Sequence, residues 1–157
     1  MNRFDARNRF QQLRALREGV SSDELDRIWS GLDPVPAADI LGRWRGEGFA
    51  TGHALNGTLR CCRWYGKSFN SLSDAKPLIC YDENGELFSN VELGRGEASL
   101  WNVEFRGEVT AAMVYDGRAV LDHFKRVDDV TLMGIMNGDA ELVLHNGRHF
   151  YFLLERA

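Results

Sequence analysis

The chain has 157 residues, a formal charge of -4 and ordinary proportions of apolar (44%) and charged (27%) residues. That length suits one domain able to bury about two thirds of its unfolded surface without a metal or disulfide staple. The acidic balance speaks against a nucleic-acid binder, and no apolar run reaches the ~20 residues of a membrane span.

Asn2 to Arg17 reads as an amphipathic helix, with Phe10, Leu13, Leu16 and Val20 at three- and four-residue steps and Gly19 at its end. No apolar h-region precedes it, so no secretory signal is expected. Ser21 and Glu24 have capping-box spacing and open a second helix, about Asp23 to Ser30, that buries Leu25, Ile28 and Trp29. Pro34 and Pro36 then turn the chain. A helical segment, 1–36, thus precedes a β-rich segment, 37–157, within a single domain.

From Gly42 the pattern becomes short apolar runs joined by tight turns, with one inserted helix at about 56–65. Asn84-Gly85, Asp116-Gly117, Asn137-Gly138 and Asn146-Gly147 favour turns with positive φ, which join antiparallel neighbours. Strands are predicted near 42–51, 77–82, 86–91, 99–106, 109–115, 118–126, 131–136, 141–145 and 148–155. So many consecutive antiparallel strands leave exposed edges unless they close, which predicts a mainly β fold: one up-and-down barrel of about eight to ten strands.

The stretch Gly42-Arg-Trp-Arg-Gly46 begins this barrel. Glycine lets a strand bend and approach its neighbours closely. Trp44 is expected to plug the barrel floor, with Arg156 of the last strand lying across its indole.

"GRWRG" (Gly42–Gly46) matches the signature of the GXWXG-motif family, and "WYGKSF" (Trp64–Phe69) and "PLIC" (Pro77–Cys80) resemble the continuation of that domain. "MVYDGRAVLDHFKRVDD" (Met113–Asp129), "GIMNG" (Gly134–Gly138) and "FYFLLER" (Phe150–Arg156) resemble its companion C-terminal domain of unknown function. Ala119 departs from this pattern, standing where a proline is expected. The resemblance implies no particular activity. More distantly, a Gly-x-Trp first strand with a closing arginine is similar to lipocalins and nitrobindins, an analogy of architecture.

Side-chain alternation groups Ala112, Val114, Leu121 and His123 with Trp101, Val103 and Phe105 on one face. It is the more apolar face and is therefore read as the interior. His123 would then enter the barrel, and Asp122 would point away with Tyr115 and Glu104; a one-residue slip would exchange His123 and Asp122. An interior imidazole serves as a core residue, a ligand contact, a haem ligand or an acid–base group. Lys67 is expected near the mouth, where it would meet an acidic ligand group, and His53 near it. Asn146-Gly147 sends His145 and His149 to opposite faces, and no other cluster has zinc-ligand spacing, so no metal is expected. Haem through His123 is the one cofactor left open. Cys61, Cys62 and Cys80 are too few and too close for a disulfide framework, which favours reduced thiols and a cytoplasmic setting.

The leading expectation is a barrel that binds a small hydrophobic molecule or lipid, with or without an acidic group. Trp44, Trp64, Tyr65, Trp101 and Phe105 would form its walls, and Lys67 and His123 its polar anchors. Two alternatives stand beside it. One is an isomerase, cyclase or hydratase using His123 with Asp122 or Tyr115. The other is an interaction module docking partners through the N-terminal helices.

Overall fold

In the computed structural model, which describes all residues from Met1 to Ala157, side-chain caps set both N-terminal helices. Asn2 accepts from the Asp5 amide to start α1 (Arg3–Arg14), and Ser21 accepts from the Glu24 amide to start α2 (Ser22–Gly31). There follow β1 (Asp33–Pro34), a 3-10 turn (Ala37–Ile40), β2 (Gly42–Gly48), α3 (Leu55–Cys61), β3 (Trp64–Ser71), β4 (Asp74–Tyr81), β5 (Leu87–Ser89) and α4 (Val91–Gly94). The chain ends with β6 (Ala98–Phe105), β7 (Glu108–Tyr115), β8 (Val120–Asp128), β9 (Thr131–Gly138), α5 (Ala140–Val143) and β10 (Phe150–Arg156). No helix is long and apolar enough to cross a membrane.

The ten strands form one antiparallel sheet that closes in a ring. From β2 onward each strand pairs with the next, save that β5 only edges β4, and β10 returns to β2. The mainly β, up-and-down architecture expected from the turn spacing is the one observed. The seams differ in strength. β10 and β2 pair over five positions, from Phe152–Gly48 to Arg156–Trp44. β4 and β6 share only Ala75–Ala98.

Three local expectations need correction. Residues 141–145 are not a strand, because Asp139 accepts from the Glu141 amide and starts the helical turn α5. The inserted helix ends at Cys61; Arg63 takes a positive φ of 59° and returns the chain into β3, a strand that was not foreseen. Asp116-Gly117 does not make a two-residue hairpin: Ala112 pairs with His123 and Val114 with Leu121. That register is displaced by two residues, so the grouping of side chains by face survives.

Along β10, Phe150, Phe152 and Leu154 belong to the core inside the ring, with Trp44, Phe69 and Phe124. Tyr151 and Leu153 belong to a second core outside it, where Phe10, Leu13, Leu25, Ile28 and Trp29 of α1 and α2 cover them. The apolar helix faces on which an interaction-module reading relied are therefore occupied by the barrel. Phe105 and His123 lie on this outer side, and Trp101, on the same strand face, is 59% exposed. The apolar strand face predicted to be interior is thus the exterior. The error has a physical cause: α1 and α2 bury the outer face of β8–β10, so both faces are apolar, while the true interior carries Asp122 and Lys67.

Trp44 and Arg156 meet as anticipated. The guanidinium lies 4.2 Å from the ring centroid, the indole N–H donates to Ile40 O at 2.9 Å, and Arg156 donates to Leu41 O at 2.8 Å and Asp39 O at 3.2 Å. Gly42 has a φ of 126°, and a Cβ there would lie 2.9 Å from Arg156 Nη1. Arg156→Met, which keeps the aliphatic bulk, is expected to cost about 1–3 kcal/mol. Urea unfolding checks this; a change within ~0.3 kcal/mol would mean that the clasp contributes nothing.

Candidate functional site

Trp44, Phe69, Phe124, Leu132 and Leu154 fill one part of the ring. The remainder is a cavity of about 300 Å³, at the small end of the roughly 300–1,000 Å³ typical of ligand pockets. Phe150, Phe152, Val120, Met136, Leu78 and Trp64 supply its apolar wall. Leu55, Thr58 and Leu59 of α3, Leu93 of α4 and Glu141 and Leu142 beside them complete it.

Four charged residues line it, Lys67, Arg118, Asp122 and Glu141, and two of them form a buried pair. Lys67 Nζ and Asp122 Oδ2 are 3.1 Å apart, and both side chains are only 3% exposed. Nζ also donates to Pro77 O at 3.3 Å and lies 5.5, 5.8 and 5.3 Å from the ring centroids of Trp64, Tyr115 and Phe152. Asp122 Oδ1 is buried without any partner. Burial pushes the Asp122 carboxyl above the usual carboxylate range, and the Lys67 ammonium opposes that push. Tyr115, also on the cavity wall, is raised well above an ordinary phenol, first by burial and then by the charge of Asp122.

A bulge brings Lys67 and Trp64 together. Three residues apart on a regular strand, they would face opposite sides. The pairing of β3 with β4 shifts on both sides of Gly66, so both side chains line the cavity. Gly66 is required at this point, since a Cβ would lie 1.9 Å from Trp44 O. Gly46 is required by the cavity wall: a Cβ there would lie 2.1 Å from the Trp64 ring.

The structure unites only some of the residues singled out from sequence. Trp64, Lys67 and Asp122 share the cavity; Trp44 lies in the filled part of the barrel. Tyr65 packs edge-on against Tyr81, 5.8 Å between centroids, beside a shallow depression that it shares with Arg45 and Glu47. Trp101 and Phe105 are outside the ring. His123 is also outside, stacked on Phe105 at 3.9 Å with Asn137 Nδ2 3.1 Å from its Nε2. As strand neighbours on opposite faces, His123 and Asp122 cannot act on one bound molecule. Tyr115 was placed with Asp122 in the sequence grouping, and that pairing holds inside the barrel. His53 is a buried link: its Nδ1 accepts from the Leu55 amide at 3.1 Å, and its Nε2 lies 2.9 Å from Val143 O.

His123 Nδ1 is buried without a partner, and burial lowers the imidazole pKa from 6.5 to about 4. The unfolded chain therefore binds more protons between those values, and stability falls as pH drops from about 6.5 to about 4. His53, also lowered by burial, adds a slope of the same sign. His123→Leu is expected to flatten this dependence. Denaturant unfolding from pH 4 to 7 checks it; parallel curves for variant and parent would contradict it.

These features define a closed antiparallel β-barrel, half filled, whose open half holds a buried lysine–aspartate pair against an apolar wall. The chain belongs to the GXWXG family and its companion domain of unknown function. Residues 27–85 match the GXWXG protein model, and residues 96–156 match the domain of unknown function DUF4334. The first segment supplies β2–β4 and the second β6–β10, so the ring closes only when both are joined. The crystal structure of a protein from Thermomonospora curvata is similar over 98% of this chain and 99% of that one, with 35% identity and a TM-score of 0.87. No curated protein matches the chain.

Proposed function

We propose that the barrel binds a small, neutral, mostly apolar molecule carrying one polar oxygen group, a hydroxyl or a carbonyl. The observation that carries this reading is the apolar cavity with Lys67 and Asp122 in its wall. A buried ion pair is weak support for stability, because desolvation offsets its attraction. A ligand oxygen gives the pair a use, and a ligand hydroxyl beside Asp122 would supply the donor that its unpartnered oxygen lacks. Asp122 neutralises Lys67, the Arg118 guanidinium donates to Leu93 O at 3.1 and 2.6 Å, and Glu141 adds a second carboxylate to the lining, which together favour a neutral ligand. The acid–base alternative keeps Asp122, with Tyr115 beside it, and loses His123.

The test uses N-phenyl-1-naphthylamine, a neutral fluorophore that brightens in apolar surroundings. Its emission should rise on adding the protein and fall with octanol, and much less with octanoate. Val120→Trp, which fills the cavity from β8, should abolish the rise. No rise, or one unchanged by Val120→Trp, would remove the cavity from the account.

A further inference from the structure

We propose that Lys67 Nζ condenses with an apolar aldehyde or ketone bound in the cavity, holding it as an imine; this rests on the reading of the cavity as a small-molecule site. The chain carries 19 cationic side chains, of which only Lys67, Lys76 and Lys125 are lysine. The other 16 (19 less three) are arginine, which stays protonated and cannot serve as a nucleophile. Lys76 is a surface residue paired with Asp74 and Glu97. Lys125 is sealed outside the ring beneath α2, where it donates to Trp29 O at 3.0 Å and pairs with Glu108. Lys67 alone among the three lines the cavity.

Its surroundings suit the reaction. The Lys67 side chain is 3% exposed and its Nζ lies 5.3–5.8 Å from three aromatic ring centroids, an apolar site of the kind in which a lysine serves as a nucleophile, and the ammonium must first give its proton to an adjacent acceptor. Asp122 Oδ2, 3.1 Å away, is that acceptor. The carboxylate first takes a proton from the ammonium. The freed amine attacks the carbonyl carbon, forming a C–N bond and moving the C=O π pair to oxygen, which collects the proton from Asp122. A second proton then passes from nitrogen through Asp122 to that hydroxyl. Water leaves as the nitrogen lone pair forms C=N. Ammonium and carbonyl have become a protonated imine and one water, and Asp122 is again a carboxylate. No oxidant, reductant or metal enters.

The test treats the full chain with octanal and sodium cyanoborohydride, which delivers hydride to the imine carbon and fixes it as a secondary amine. Peptide mapping should place one octyl group on Lys67, about tenfold faster than on Lys76 or the Met1 amine, and octanol should slow it. Lys67→Arg should lose that adduct while the slower labelling of Lys76 and the Met1 amine is unchanged, since Lys76 lies on the surface paired with Asp74 and Glu97. An unmodified Lys67, or labelling no faster there than at Lys76, overturns the proposal. If octanol displaces the fluorophore from the parent protein and Lys67 is not trapped, the imine fails and the cavity reading stands. If octanol displaces nothing, the cavity reading itself has failed.

Discussion

Asp122→Ala is expected to destabilise the protein by about 3–5 kcal/mol, the cost of leaving a buried charge without its partner. The stranded charge would be Lys67, whose remaining polar contact is Pro77 O at 3.3 Å. Lys67→Ala should cost a similar amount, for it strands the carboxylate instead. The double variant Lys67→Met with Asp122→Leu removes both charges while keeping apolar bulk. It should regain most of the loss and can exceed the parent by about 1–4 kcal/mol, yet it should lose affinity for octanol. Urea unfolding combined with fluorophore displacement reads both quantities. A double variant as unstable as the singles would show that the pair holds the barrel together, and one that binds octanol as the parent does would show that the pair has no part in binding.

Gly66→Ala carries the second large effect. The added methyl would lie 1.9 Å from a backbone oxygen and 2.9 Å from Arg45 Cα, so no side-chain rotation relieves it. β2 and β3 must separate, or the bulge must move and turn Lys67 or Trp64 away from the cavity. Overpacking of this kind costs about 1–3 kcal/mol, occasionally more, and here it should also remove the fluorophore signal. Gly57→Ala is the matched control. It lies in α3, a Cβ there meets nothing within 4 Å, and it should stabilise by about 0.4–1 kcal/mol. If Gly66→Ala unfolds at the parent's midpoint and binds normally, the bulge does not set the site.

The period-two alternation carried the ring, and the Asn-Gly and Asp-Gly pairs marked where strands end. Asn84-Gly85 and Asp116-Gly117 sit in short connections between paired strands, β4 with β5 and β7 with β8, while Asn137-Gly138 ends β9 and Asn146-Gly147 joins α5 to β10. The Trp44–Arg156 clasp was legible for a related reason: consecutive pairing around a closed ring must bring the last strand beside the first. Which face looks inward was not legible. His123 and Asp122 are neighbours on β8, and local pattern sorts them onto opposite faces without saying which is the inner one. That depended on α1 and α2, whose cover lets His123 stack on Phe105 away from water. Lys67 with Trp64 depended on a bulge, and Gly66 between them was the only local sign of it. β3 was missed because the helical reading of 56–65 ran into its first residues, whereas Arg63 ends the turn with a positive φ.

The most direct test is nuclear Overhauser spectroscopy of the full chain with carbon-13-labelled octanol. Cross-peaks from the alcohol chain to the methyls of Leu59, Leu78, Val120 and Met136 are expected, all of which line the cavity. Cross-peaks confined to the outer face, to Trp101 or Val103, or none at saturating octanol, would contradict it.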